Sequence, residues 1–288
     1  MFLSITVGLR WLLDRVAEPD LSMSVLIREN KVMRHLLIAI VCCLTASALL
    51  AAGPIGGKQY FELREYRLKS SADAAKVDKY LTGALLPALT RLGAGPVGVF
   101  REIEERPEPI RFVLIPFDSI GQVAGVAAKL AQDEEYQKTA ADYLATPRKE
   151  APLSRIRSEL LVAMDCMPHV KVPELARRSQ DRVFEMRTYE SPTERYGNLK
   201  VEMFNSGEVP IFLDCGITPV FLGQAIVGDL MPNLTYLTVY SSLEAKAEAW
   251  KKFPKHPDWI KLKAVPKFKG SVSKSHKWIL IPLSGSQL

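Results

Sequence analysis

The pattern Phe-Glu-(Leu/Met)-Arg-x-Tyr occurs twice, as Phe61 to Tyr66 and as Phe184 to Tyr189. A carboxylate, a guanidinium and a phenol spaced two residues apart share one face of a strand, because successive side chains point to opposite sides. Arginine on such a face can clamp an oxyanion, and tyrosine can stack on an aromatic ligand or give it a proton. The alternation leaves Phe61, Leu63, Phe184 and Met186 on the other face, which suits packing under helices. The expectation is therefore a central cavity lined by Glu62, Arg64, Tyr66, Glu185, Arg187 and Tyr189, with Trp259 near its mouth. Its ligand would be small and anionic or aromatic. The structural reading of the same residues is mutual neutralisation of Glu and Arg inside a mostly filled interior, since a buried charge needs a partner. Catalytic residues are not identified.

Other chemistries lack their residue sets. His169, His256 and His276 form no HxH or HxxxH pair and have no acidic cluster beside them, so no metal site is expected. No G-x-S-x-G elbow occurs. The glycines at 93–98 (GAGPVG) lie between a helix and a strand, the wrong order for a dinucleotide loop. No cofactor is expected.

The two triads belong to a longer repeat. Phe61 and Phe184 stand 123 residues apart, and the same step relates Pro87 to Pro210, Gly93 to Gly216, Leu114 to Leu237, Ser119 to Ser242 and Tyr136 to Trp259. A period this long means two small domains rather than solenoid units. Each copy reads β-α-β-β-α-β. In the first copy a strand covers 59–67 and a helix 72–92, with Val77, Leu81, Leu85 and Leu89 at helical spacing. Two strands joined by a turn follow, then a helix capped by Ser119, then a strand at 154–164. That order is the ferredoxin-like split βαβ motif. The expected fold is α+β: two tandem ferredoxin-like domains, 59–165 and 182–284, joined by a linker at 166–181. They pack sheet to sheet as an intramolecular dimeric α/β barrel.

With these motifs in tandem, the sequence resembles the NIPSNAP family. The second copy carries the resemblance best, in VFEMRTYESPTERYGNL, GITPVFLGQAIVG, LTYLTVYSSLEAKAEAWKKF and HPDWIK. The resemblance implies the dimeric α/β-barrel fold and, for exported members, no agreed activity. The reading it supports is a non-catalytic binding or protein-interaction module. The alternative is a small cofactor-free, monooxygenase-like enzyme acting on an aromatic or quinone-like substrate in the cavity. An open pocket lined by Arg64, Arg187, Tyr66 and Tyr189 would favour the enzyme, and an apolar filling would favour the module.

The chain has 288 residues, 48% hydrophobic and 24% charged, with a net charge of +6. That is too little for a dedicated nucleic-acid binder, and no nucleic-acid partner is expected. From Met33 a short basic head, an apolar run at 36–44 and an Ala46-Ser47-Ala48 site follow in the order of a secretory signal. Residues 33–52 are therefore expected to direct export to the periplasm or medium; the alternative is a membrane anchor at 36–52. Residues 1–32 read as an extension in front of that signal. Cys166 and Cys215 remain beyond it, permitted but not required to pair. Nine lysines lie between Lys251 and Lys277 with Asp258 as the single acid. This segment is either a patch for an anionic surface or a solvated face with its aromatics turned inward. Homo-oligomerisation is a further expectation.

Overall fold

A computed structural model describes residues 57–288 other than Glu105, Ser179 and Gln180; the segment read as an export signal or anchor lies outside the described residues. Strand β1 (Tyr60–Leu68) leads into α1 (Ala74–Tyr80), a π-helical turn (Leu81–Leu85) and α2 (Leu86–Arg91). The hairpin β2 (Gly98–Glu102) and β3 (Ile110–Phe117) follows, then α3 (Ile120–Gln132), α4 (Glu134–Thr139), α5 (Ala141–Leu144) and β4 (Leu153–Ala163). A short helix α6 (Glu174–Arg178) precedes the second half. That half runs β5 (Val183–Glu190), α7 (Glu194–Met203), a π-helical turn (Phe204–Glu208), α8 (Val209–Cys215), β6 (Thr218–Val227) and β7 (Asn233–Tyr240). It ends with α9 (Leu243–Lys252), α10 (Pro257–Ala264) and β8 (Lys274–Pro282). Ser119 and Ser242 cap α3 and α9, each accepting a hydrogen bond from a backbone N–H three residues on, which satisfies one of the free donors at a helix start.

The sheet order is β4-β1-β3-β2 in the first half and β8-β5-β7-β6 in the second, the split βαβ order in both, with every pairing antiparallel. The two sheets then join edge to edge. β2 pairs β8 from Phe100↔Pro282 to Glu102↔Leu280, and β4 pairs β6 from Leu160↔Val227 to Ala163↔Gly223. The result is one closed eight-stranded barrel, a dimeric α/β barrel within a single chain. Closure leaves no full-length free edge on either half-sheet, removing most of the unpaired backbone that would otherwise template association.

An eight-stranded barrel has a lumen just wide enough for side chains to fill. Here Phe61, Leu63, Phe100, Phe112, Phe184, Met186, Phe221 and Leu280 fill it as one buried cluster drawn from both halves. Ring centroids of Phe61 and Phe221, and of Phe100 and Phe184, lie 5.0 Å apart, tilted or edge-on, an arrangement that suits the ring quadrupoles. Leu175 and Ala176 of α6 and the terminal Leu288 pack onto the same cluster. Gly223 allows the closest approach, because a Cβ there would stand 2.8 Å from that of Leu161. Two further clusters lie between each half-sheet and its own helices.

Candidate functional site between sheet and helices

The lumen settles which strand face points inward, and it overturns the central cavity. Phe61, Leu63, Phe184 and Met186 line the lumen, so Glu62, Arg64, Tyr66 and Glu185, Arg187, Tyr189 point outward, toward the helices. The physical reason is the width of the lumen: apolar side chains from both halves pack its middle, where a charged group would lose its hydration, and the charged side chains of that face, Glu65, Arg157 and Glu159, stand at one end. The triads are therefore not gathered. Each half holds its own, in a separate site, and Trp259 belongs to the second only.

In the first half, Arg64 grips Glu62 with two hydrogen bonds of 2.7 Å, and the Ser158 hydroxyl donates a third of 2.7 Å to the same carboxylate. Burial alone would raise the Glu62 pKa, but Arg64 and Ser158 outweigh it and hold the carboxyl below its usual range. Tyr66 lies buried beyond the pair, its hydroxyl pKa raised by desolvation. Tyr80 and Tyr136 join hydroxyls at 2.9 Å, and Tyr143 stacks on Tyr80 with centroids 3.8 Å apart. Outside them a groove of about 370 Å³ opens between Lys76, Lys79, Tyr80, Thr139 and Tyr143. The triad of this half is thus self-satisfied.

The second half differs. Arg187 donates to Glu185 at 2.9 Å and to the Tyr189 hydroxyl at 3.3 Å, and Tyr189 meets the Tyr236 hydroxyl at 2.7 Å. The guanidinium carbon lies 3.5 Å from the Trp250 ring centre, a cation–π contact. Lys246 approaches Glu185 at 3.4 Å, and Lys277 stands opposite Arg187 on β8, where the first half has Ser158 opposite Arg64. Two cations, Arg187 and Lys246, thus contact one carboxylate. Even so, Glu185 Oε2 and Arg187 Nε are buried without hydrogen-bond partners. Unpaired buried polar atoms of this kind cost stability and call for an explanation.

Deeper in, Lys200 and Glu208 form a buried ion pair of 2.7 Å under the rings of Tyr189, Phe204 and Trp259, with Lys200 4.6 Å from the Phe204 ring centre. Desolvation raises the Glu208 pKa, and Lys200 only partly offsets it. This pair flanks the π-helical turn, whose Gly207 has φ 145°. The first half has a π-helical turn at the same repeat position, and there Val77 and Leu85 replace the ion pair.

Lys200, Glu208, Tyr236, Trp250 and Lys246 were not among the sequence-level candidates. A signal for them does exist. At the 123-residue step they face Val77, Leu85, Val113, Ala127 and Val123. Polar or aromatic side chains thus replace small apolar ones where the backbone is common to both copies. Among the described residues, Cys166 and Cys215 are both free thiols, and burial pushes Cys166 up to about 11.

The fold and these paired sites define a tandem α/β barrel, and the NIPSNAP family model matches residues 184–287. That match lies within the second half of the chain. Among solved structures, a candidate monooxygenase of Fusobacterium nucleatum shares the fold of both halves at TM-score 0.53 and 9% identity, over 80% of this chain and 94% of its own. A NIPSNAP-family protein of Agrobacterium tumefaciens matches at 18% identity and TM-score 0.34, over 37% of this chain and 98% of its own. A NIPSNAP-like domain protein of Burkholderia xenovorans matches at 16% identity and TM-score 0.33, over 36% of this chain and 87% of its own. None of the curated proteins matches the sequence.

Proposed function

We propose that the protein is a binding module that takes a small phenolic or aromatic-acid ligand at the Arg187–Trp250–Tyr189 site of its second half. The observation that carries this reading is the pair of unsatisfied atoms. A ligand hydroxyl that gives its proton to Glu185 Oε2 and accepts from Arg187 Nε would satisfy both. The surplus of cations over Glu185 suits a negatively charged ligand, and Trp250 offers an aromatic neighbour. The apolar lumen supports a module over an enzyme working at the barrel centre. The test is calorimetric titration with 4-hydroxybenzoate and benzoate. Binding should fall at least tenfold in Arg187→Ala and be unchanged in Arg64→Ala; equal affinity in Arg187→Ala would overturn the site.

A second reading, a cofactor-free oxygenase for an aromatic or quinone-like substrate, draws on the linked hydrogen bonds Arg187–Tyr189–Tyr236. Such a relay can hold a phenolic oxygen and redistribute its proton. Dioxygen uptake in the presence of a hydroquinone, abolished in Tyr189→Phe, would favour it. The proposal includes export. Its support is the order of basic head, apolar run and small-residue site from Met33, and a mature mass beginning near residues 49–53 would bear it out.

A further inference from the structure

We propose that the lysine-rich outer face of the second half, from the end of α9 to Lys277, docks on an anionic lipid bilayer. All nine lysines between Lys251 and Lys277 are exposed. Three are neutralised by neighbours: Lys251 by Glu248, Lys261 by Asp258 and Lys267 by Glu202. Lys252, Lys255, Lys263, Lys269, Lys274 and Lys277 carry no ion pair among the described residues.

The first half supplies an internal control. Lys277 opposes Arg187 as Ser158 opposes Arg64, so the counterpart of this face ends at Ser158. Residues 128–158 contain six basic and five acidic side chains. The same architecture is thus built once nearly neutral and once with eight surplus positive charges. The fold does not need the lysines.

The apolar residues choose between anionic partners. The aromatics of this face turn inward: Phe253 and Phe268 are buried, and Trp259 packs on Phe253. Ile260 and Val272 nevertheless remain 48% and 38% exposed among the lysines. At the repeat position of Ile260 the first half has Gln137. A nucleic acid or other soluble polyanion would gain from the charge alone. A bilayer gains from both, with lysines at the headgroups and aliphatic chains dipping below them.

The experiment is co-sedimentation of the full chain with vesicles of phosphatidylcholine, alone or mixed with phosphatidylserine. Binding to the mixed vesicles should be the stronger, and should fall between about 0.1 M and 1 M salt as screening shortens. Each lysine near an anionic surface is worth on the order of fivefold. The quadruple variant Lys252→Glu, Lys255→Glu, Lys263→Glu, Lys269→Glu should therefore lose more than tenfold, while Lys129→Glu with Lys138→Glu in the first half changes little. The N-terminal segment is common to every variant, so differences between variants report on this face. Ile260→Ser should weaken vesicle binding but leave binding to a soluble oligonucleotide unaltered. Undiminished vesicle binding by the quadruple variant would overturn the proposal. So would an Ile260→Ser variant that binds vesicles as the parent does.

Discussion

Lys200 and Glu208 are held in the core by each other, by the rings above them and by a weak contact of Lys200 with the Met203 sulfur at 3.5 Å. Removing one partner strands a charge, so Lys200→Met should destabilise the protein by about 3–5 kcal/mol. The double variant Lys200→Val, Glu208→Leu reproduces what the first half already contains at these positions. Its stability in urea should lie within about 1 kcal/mol of the parent, or above it, because a packed apolar pair often equals a buried ion pair. If the double variant is as damaged as the single one, the pair has a structural role that Val77 and Leu85 do not fill. At this scale the sequence identified the triad residues, because their chemistry repeats. The partners of Arg187 differ between the copies and stayed hidden until distances joined them.

Among the elements, the π-helical turns are common to both halves but reached differently. Gly207 sits at φ 145° and a methyl group on its Cα would meet nothing within 4 Å, whereas Gly83 has ordinary backbone angles and equally open space. Gly83→Ala should therefore stabilise by up to about 1 kcal/mol, and Gly207→Ala should destabilise by more than that, as thermal melts would record. Strand β4, where it meets the loop between β6 and β7, gives a pH prediction. Glu159 accepts a 2.6 Å hydrogen bond from Asn233, and its pKa is raised by burial first and then by the charges of Asp229 and Glu65. A raised folded value means the native state holds its proton more tightly than the unfolded chain. This contribution is present below the unfolded value of about 4.3 and is lost as pH rises through the folded one. Glu159→Gln keeps an acceptor for Asn233 and should flatten stability across that window, as urea melts at stepped pH would measure. Strand order and pattern were legible because alternation and turn residues encode them. The inward face was not, since each strand is covered on both sides, by the lumen and by its helices. Two apolar demands then compete for one alternation, and only barrel closure decides between them.

For the whole molecule, the apolar lumen belongs to neither half alone. A chain cut down to the second half would expose Phe184, Met186, Phe221 and Leu280 together with the edges of β6 and β8. Such a fragment should self-associate, closing its barrel with a second copy, and native mass spectrometry would report a dimer. A folded monomer would mean the lumen can be sealed from one side. The doubled βαββαβ order made this architecture legible from sequence, because one half-sheet leaves a face that only another can cover.

Joining the halves in one chain also changes what inheritance can do. In a symmetric pair of identical subunits every substitution arrives twice, and neither site can be altered without its twin. Here one copy holds a guanidinium beside a lysine and a buried ion pair, while the other has valine and leucine in place of that pair. A gene that encodes both sides of a barrel can specialise one and let the other serve as its wall.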